Sequence, residues 1–176
     1  AMWREYTPLL VAIKNGHEKV VGMLLAHPDI KVNQADRTGR TPLFLASELG
    51  QINTVIRLLG LQSINPDNRE EPDVNQALTS SSGDGPIFTS GQTPLIVASS
   101  RGHEQVVRHL LFDSKRREDF YGPQSNQINI NHADDSGRTP LYLASLQGHE
   151  NVVKMLLDAE GINRFAVYRY HAQRLL

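Results

Sequence analysis

The sequence of 176 residues contains no cysteine, which excludes disulfides and thiolate metal sites. Its formal net charge is only −1, so no positive field attracts nucleic acid or an anionic membrane surface. No run approaches the roughly 18 consecutive apolar residues of a membrane-spanning helix, and no leader pattern precedes the first motif. We therefore predict no nucleic-acid or membrane partner and, by default, an intracellular, cytoplasmic protein.

What the chain does contain is a repeated motif. T-P-L-x-x-A begins at Thr7, Thr41, Thr93 and Thr139. Each copy is followed by a glycine and then by paired Val, Ile or Leu residues, as in Gly16 to Leu25. Such recurrence indicates an array of similar units rather than one globule. Ala1 precedes Met2, as in a cloned fragment with residual tag sequence, which leaves open that the natural chain is longer.

Each motif predicts the start of a helix. The threonine oxygen can accept a hydrogen bond from a free backbone N–H, and proline at the first helical position sacrifices none. Gly16 is a suitable end for the first helix, and residues 20–25 carry an apolar stripe for a second one. Residues 32–40, a β-prone pair followed by turn residues, predict a hairpin-like connector. Because one helix pair cannot bury its stripe alone, we expect the pairs to stack.

These residues resemble the ankyrin repeat, whose pattern is D-x-x-G-x-T-P-L-H-x-A-A-x-x-G-H followed by a V-x-x-L-L helix. Residues 36–43 and 134–141 match it well, and the resemblance covers roughly residues 5–163. It implies an all-α ankyrin-repeat solenoid of stacked helix pairs with hairpin connectors. The histidine usual after T-P-L is replaced by apolar or aromatic residues, which predicts extra packing there: Leu10, Phe44, Ile96 and Tyr142.

The repeats are unequally spaced, since successive threonines lie 34, 52 and 46 residues apart. We predict an ankyrin-repeat domain over residues 3–163, with repeats at about 3–36, 37–77, 89–133 and 134–163. The excess residues form insertions after the second and third helix pairs, at 60–73, 78–90 and 112–127. Residues 164–176, with Phe165 and Tyr168 at helical spacing, are expected to form a C-terminal capping helix or the start of a fifth repeat.

The histidines do not predict a metal or catalytic site. His17, His103 and His149 occupy the same position in three repeats. Stacked units lie roughly 8–10 Å apart, so these side chains form a row and cannot converge on one ion. We expect them to anchor the turn between paired helices by backbone hydrogen bonds. Without any nucleophile–base, nucleotide-loop or calcium-loop pattern, the sequence predicts no catalytic residue, no metal, no cofactor and no enzyme.

The resemblance implies protein–protein recognition through hairpin tips and the concave face of the first helices. Carried over position by position, the candidate contacts are Tyr6, Lys14, Asn15, Arg37, Thr38, Arg40, Glu48, Leu49, Thr89, Ser90, Gln92, Ser100, Arg101, Asp135, Ser136, Arg138, Leu146 and Gln147. Phe120 and Tyr121 could add an aromatic contact from the third insertion. That insertion could instead extend the second helix with a solvated charged face, or carry a nuclear-import signal in residues 115–117.

Two features of this surface bear on the kind of partner. Leu49 and Leu146 stand where polar residues are expected, and could either anchor a partner or pack against a neighbouring unit. Arginines along the face favour an acidic or phosphorylated partner, although solvated surface arginines explain them equally well. We predict a monomeric, non-catalytic protein–protein interaction module. The alternatives are a recruiting fragment of a larger multidomain enzyme or secreted effector, or an array that only caps or self-associates.

Overall fold

The computed structural model describes residues 6–60, 72–79, 90–112 and 127–164. These residues form eight α-helices and no strand, which confirms the predicted all-α class. The helices come in four consecutive pairs: α1 (Pro8–Lys14) with α2 (Glu18–Leu25), α3 (Pro42–Glu48) with α4 (Ile52–Leu59), α5 (Pro94–Ser100) with α6 (Glu104–Phe112), and α7 (Pro140–Leu146) with α8 (Glu150–Asp158).

The four first helices, α1, α3, α5 and α7, all begin in the predicted way. Each has proline in its first turn and threonine at its N-cap. The threonine hydroxyl oxygens accept hydrogen bonds from backbone N–H groups three residues later, over 3.2, 3.1, 3.3 and 3.2 Å. One repeated motif therefore starts four helices with the same geometry.

The helix pairs stack side by side. First helices contact first helices from α1 through α7, and second helices contact second helices from α2 through α8. One continuous apolar core lies between the two rows and includes Leu9, Leu43, Leu95 and Leu156. Because every interior pair is covered by a neighbour on each side, the stack buries stripes that a single pair would expose.

The predicted extra packing after T-P-L is present in the first three repeats. Leu10, Phe44 and Ile96 are completely buried, whereas Tyr142 in the last repeat is half-buried. Phe44 belongs to a second, smaller apolar cluster with Leu78 and Val97. At Phe44 the apolar replacement therefore adds a contact between neighbouring repeats.

Hairpin-like connectors precede α3, α5 and α7. The N–H groups of Asp36 and Asp134 donate to the carbonyl oxygens of Arg40 and Arg138, over 3.1 and 3.0 Å. Leu78 N–H donates in the same way to the Gln92 carbonyl oxygen, over 2.9 Å. The ends of the connector before α5 thus meet as in the other two, and its additional residues lie between Thr79 and Ser90.

The histidine row contacts the turn between paired helices, as predicted, but the turn is that of the preceding repeat. His103 and His149 lie with Nε2 3.0 Å from the carbonyl oxygens of Glu48 and Ser100, which belong to the preceding repeat. The amide of Gln51 donates to the Ile13 carbonyl oxygen over 2.7 Å at the corresponding place. The predicted backbone hydrogen bonds at the turn between paired helices are thus present, but each side chain reaches the turn of the preceding repeat and therefore also joins successive repeats.

Candidate protein-binding surface

The last turns of the first helices form one row of accessible residues, which we call the helix-end strip. It consists of the last residue and the C-cap of each first helix, all of them accessible except the buried Ser100: Lys14 and Asn15, Glu48 and Leu49, Ser100 and Arg101, Leu146 and Gln147. In α3 and α5 the residues ahead of this strip are all buried. Burial in the stack therefore leaves only Glu48 and Leu49 at the end of α3, and Arg101 at the end of α5, accessible on these interior first helices.

Two leucines stand out on the helix-end strip. Leu49 is 44% exposed and Leu146 is 61% exposed, although both are large apolar side chains. Exposed leucines in a shared row are the type of side chain that can anchor a partner in a desolvated contact.

The hairpin tips lie beside one another along the array. Thr79 N–H donates to the Thr38 carbonyl oxygen over 3.2 Å, and Asp135 N–H donates to the Ser90 carbonyl oxygen over 3.0 Å. Arg37 and Asp135 are exposed at the tips, and Thr38, Ser90 and Ser136 are half-buried. The tips thus form a hydrogen-bonded row rather than independent loops.

The candidate contacts include four arginines, Arg37, Arg40, Arg101 and Arg138, and the last three form ion pairs with carboxylates. Arg40 Nε donates to Asp36 Oδ2 and Arg138 Nε donates to Asp134 Oδ2, each over 2.8 Å. Arg101 contacts Glu48 over 3.1 Å across two repeats. These pairs tie the connectors and repeats together, so the positive character expected of this face is largely neutralised.

The Asp36 carboxylate organises the first connector. Its Oδ1 accepts hydrogen bonds from the backbone N–H groups of Thr38 and Arg40 and from the Thr38 hydroxyl, over 2.9, 3.0 and 2.7 Å. Burial raises the pKa of Asp36, but these hydrogen bonds and the Arg40 charge outweigh it, so the pKa lies below its ordinary value. Burial likewise lowers the pKa of Arg40, but Asp36, with smaller contributions from Tyr6 and Glu48, raises it by more. Both groups therefore stay charged in the folded protein.

An aromatic–cation cluster lies at the first-repeat end of the surface. Lys14 Nζ lies 4.7 Å from the centre of the Tyr6 ring, and Arg40 Nη2 donates to the Tyr6 hydroxyl over 2.9 Å. Tyr6 also lines an open groove of about 530 Å³ with Gln34, Asp36 and Arg37. This is where the described positive side chains come together.

The remaining candidate residues are placed as follows. Gln92 and Ser100 are buried, at 0% and 3% exposed, so neither offers its side chain to a partner. Both positions lie at the centre of the array, where repeats on either side cover them. Thr89, Phe120 and Tyr121 lie outside the described residues, as do most of the three predicted insertions and residues 165–176.

Four exposed apolar side chains were not expected from the sequence. Val20, Met23, Ile56 and Phe112 all belong to second helices, and Met23 is 75% exposed. Gly22, which directly precedes Met23, has no side chain and interrupts the apolar stripe of α2. This interruption in the sequence could have indicated that Met23 is exposed. Within the described part of the chain, no group of three His, Asp or Glu residues could hold a metal ion. None of the described helices is long and apolar enough to cross a membrane.

Comparison with known proteins gives consistent results. The family model described as ankyrin repeats (3 copies) matches residues 3–70 and 68–166. Human Rabankyrin-5 is 30% identical, over 60% of this chain and 10% of that protein, and its mouse counterpart is 29% identical over the same shares. The human transient receptor potential cation channel subfamily A member 1 is 30% identical, over 60% of this chain and 8% of its own length. The chain thus spans about a tenth of these relatives.

Proposed function

Since the chain belongs to the ankyrin-repeat family, whose members generally bind other proteins, we propose that it is a non-catalytic protein-interaction module. Its binding surface comprises the helix-end strip and the row of hairpin tips. The accessibility of the strip beside completely buried helix interiors supports this assignment.

The partner of this surface is recognised through apolar contacts more than through charge. Leu49 and Leu146 supply exposed apolar area, while Arg40, Arg101 and Arg138 are already engaged by carboxylates. Breaking a formed ion pair to bind an acidic group would sacrifice its hydrogen bonds, which limits the gain. An acidic or phosphorylated group would fit the first-repeat end, beside Lys14 and Arg37.

The test compares the proteins that two double variants capture. Each variant replaces two exposed apolar side chains by serine, one pair at the ends of first helices and the other pair in a second helix. Leu49→Ser/Leu146→Ser alters the helix-end strip, whereas Val20→Ser/Met23→Ser alters second helices and serves as the control. Proteins retained by the wild type should be lost from the first variant and kept by the second. Capture lost only from the control would place binding on the second helices and refute the proposal. Both variants must first show a cooperative melt.

The relatives are much longer than this chain, which supports a role for the same surface within a larger protein. Because the chain corresponds to about a tenth of them, the module is proposed to recruit partners for the remainder of a longer protein. We also propose that the isolated chain is monomeric, because its apolar side chains at the strip are single residues rather than a continuous patch. Sedimentation at two concentrations tests this, and a mass that rises with concentration would contradict it.

A further inference from the structure

The chemistry of the helix-end strip changes in a definite order from the first repeat to the fourth. Lys14 in the first repeat is exposed and positively charged. Leu49 in the second repeat is 44% exposed, and Leu146 in the fourth is 61% exposed. Between these leucines, the exposed Arg101 of the third repeat forms an ion pair with Glu48. The strip is therefore positive, then apolar, then occupied by a paired charge, then apolar again.

These positions are separated by similar steps, because each lies at the end of one first helix. The first helices contact one another in sequence from α1 through α7. Packed helices lie roughly 8–10 Å apart, so the three steps from Lys14 to Leu146 cover about 24–30 Å. Leu49 and Leu146 are two steps, or about 16–20 Å, apart. A segment that contacts all four positions must therefore present one side chain about every 9 Å.

This spacing selects among the conformations that a bound segment can adopt. A polyproline II segment has three residues per turn and rises about 3.1 Å per residue, so every third side chain returns to the same face after about 9.3 Å. That period lies within the step between repeats. In a β-strand the side chains of one face recur after about 6.6 Å, and two positions about 9 Å apart would fall on opposite faces.

The order of the chemistry disfavours a helical partner. An amphipathic helix places a continuous apolar face in an apolar groove. On the strip, Arg101 Nη2 lies 3.1 Å from Glu48 Oε1, and this ion pair stands between the two leucines. An apolar stripe laid across the pair would remove both charges from water at a cost. Separate apolar anchors with a polar residue between them instead fit a segment that directs one side chain to each repeat.

We propose that the helix-end strip binds a segment of about ten residues of a partner protein in the polyproline II conformation. This inference rests on the proposed function and adds the chemistry of the partner. An acidic residue of the segment faces Lys14. Apolar residues face Leu49 and Leu146, and an uncharged polar residue faces Arg101. The partner therefore carries the pattern acidic-x-x-apolar-x-x-polar-x-x-apolar, or the same pattern in the reverse chain direction.

Synthetic peptides test this pattern. The probes are fluorescein-labelled D-P-P-L-P-P-Q-P-P-L and its reverse, and binding to the full chain is measured by fluorescence anisotropy. The matched control D-P-P-L-P-P-Q-P-L-P, with its own reverse, has the same composition but places the leucines on different faces of the polyproline II helix. We expect one of the two probes to bind at least about tenfold more tightly than its control.

Variants of the protein locate the contacts of the peptide that binds. Leu49→Ser/Leu146→Ser should weaken binding at least about tenfold, because both apolar anchors are lost. Val20→Ser/Met23→Ser, in a second helix, should leave binding unchanged. Lys14→Ala should weaken binding severalfold, and this loss should disappear when asparagine replaces the aspartate of the peptide, because the two charges then no longer interact.

Three outcomes would overturn the proposal. They are no binding of either probe up to about 1 mM, equal binding of a probe and its control, and binding that survives Leu49→Ser/Leu146→Ser. Protein capture by the same variant separates these failures from failure of the proposed function. If the variant loses the captured proteins although the peptides fail, the strip binds a partner that is not a polyproline II segment. If it keeps the captured proteins as well, the proposed function fails too.

Discussion

The imidazole of His103 packs on Gly50 of the preceding repeat so closely that no side chain fits between them. A Cβ added to Gly50 would lie 2.7 Å from the His103 Nδ1, while Nε2 lies 3.0 Å from the Glu48 carbonyl oxygen. Gly50 has a φ of +67°, which ends α3 and turns the chain into α4. One glycine thus serves both the turn within its own repeat and the contact with the next.

Substituting Gly50 by alanine tests this contact, and Gly148→Ala is its matched control. Both glycines have positive φ, +67° and +73°, so both variants incur a strain of about 1–2 kcal/mol. Only Gly50→Ala also displaces an imidazole, because nothing lies within 4 Å of a Cβ at Gly148. We expect Gly50→Ala to lower the unfolding free energy by at least about 1 kcal/mol more. Equal losses in urea titrations would contradict the contact.

Removing a histidine of the row should loosen the array between repeats. His149→Ala removes a side chain whose Nε2 lies 3.0 Å from the Ser100 carbonyl oxygen, and we expect a loss of about 0.5–1.5 kcal/mol. His17→Ala is the control, because His17 is exposed in the first repeat and has no preceding described repeat to contact. Thermal unfolding measures the loss of stability in each variant, and we expect the larger loss for His149→Ala. A larger loss for His17→Ala would refute the inter-repeat role.

The sequence predicted the repeating unit but not the direction of this link. Thr41 and Pro42 act within a few residues, so their cap could be inferred from the motif alone. The partner of His103 lies 55 residues earlier in the chain, and only the stacking distance decides which carbonyl it reaches. Likewise, position within the repeat suggested that Gln92 and Ser100 are accessible, whereas neighbouring units bury them.

Replacing buried serines by alanine should stabilise the stack. The Ser99 hydroxyl is completely buried and has no hydrogen-bond partner among the described residues. An unpaired buried hydroxyl costs roughly 1–3 kcal/mol, so Ser99→Ala should raise the unfolding free energy by about 1 kcal/mol. Ser145→Ala, at the exposed equivalent position, should change it by less than about 0.5 kcal/mol. A destabilised Ser99→Ala variant would show that the hydroxyl is satisfied.

The Asp36 carboxylate should make stability depend on pH in the acid range. Its folded pKa is lower than the ordinary 3.8, so its contribution is complete above that value and is lost as the pH falls through the folded pKa. Asp36→Asn should cost about 1–2 kcal/mol at pH 7, and this difference from wild type should shrink below about pH 4. Asp135→Asn, at an exposed tip, is the control. A difference that stays constant from pH 7 to pH 2 would contradict the assignment.

We predict that ten residues can be removed from the connector before α5 without loss of the fold. Joining Thr79 to Ser90 by deleting residues 80–89 leaves five residues from Leu78 to Gln92, the same number as from Asp36 to Arg40. The backbone pair from Leu78 N–H to the Gln92 carbonyl oxygen is already formed, so no new closure is required. Shortening the loop about threefold should raise the unfolding free energy by up to about 1 kcal/mol.

A deletion longer by one residue provides the control for this experiment. Removing residues 80–90 leaves four residues from Leu78 to Gln92, and the Ser90 carbonyl oxygen that accepts from Asp135 N–H is lost. We therefore expect the longer deletion to lower the thermal midpoint while the ten-residue deletion keeps or raises it. If both deletions destabilise equally, the connector closes through residues 80–89 instead. The one-residue difference matters because the hairpin tips of adjacent repeats are hydrogen-bonded. A tip before α5 that is too short therefore loses its contact with the tip before α7.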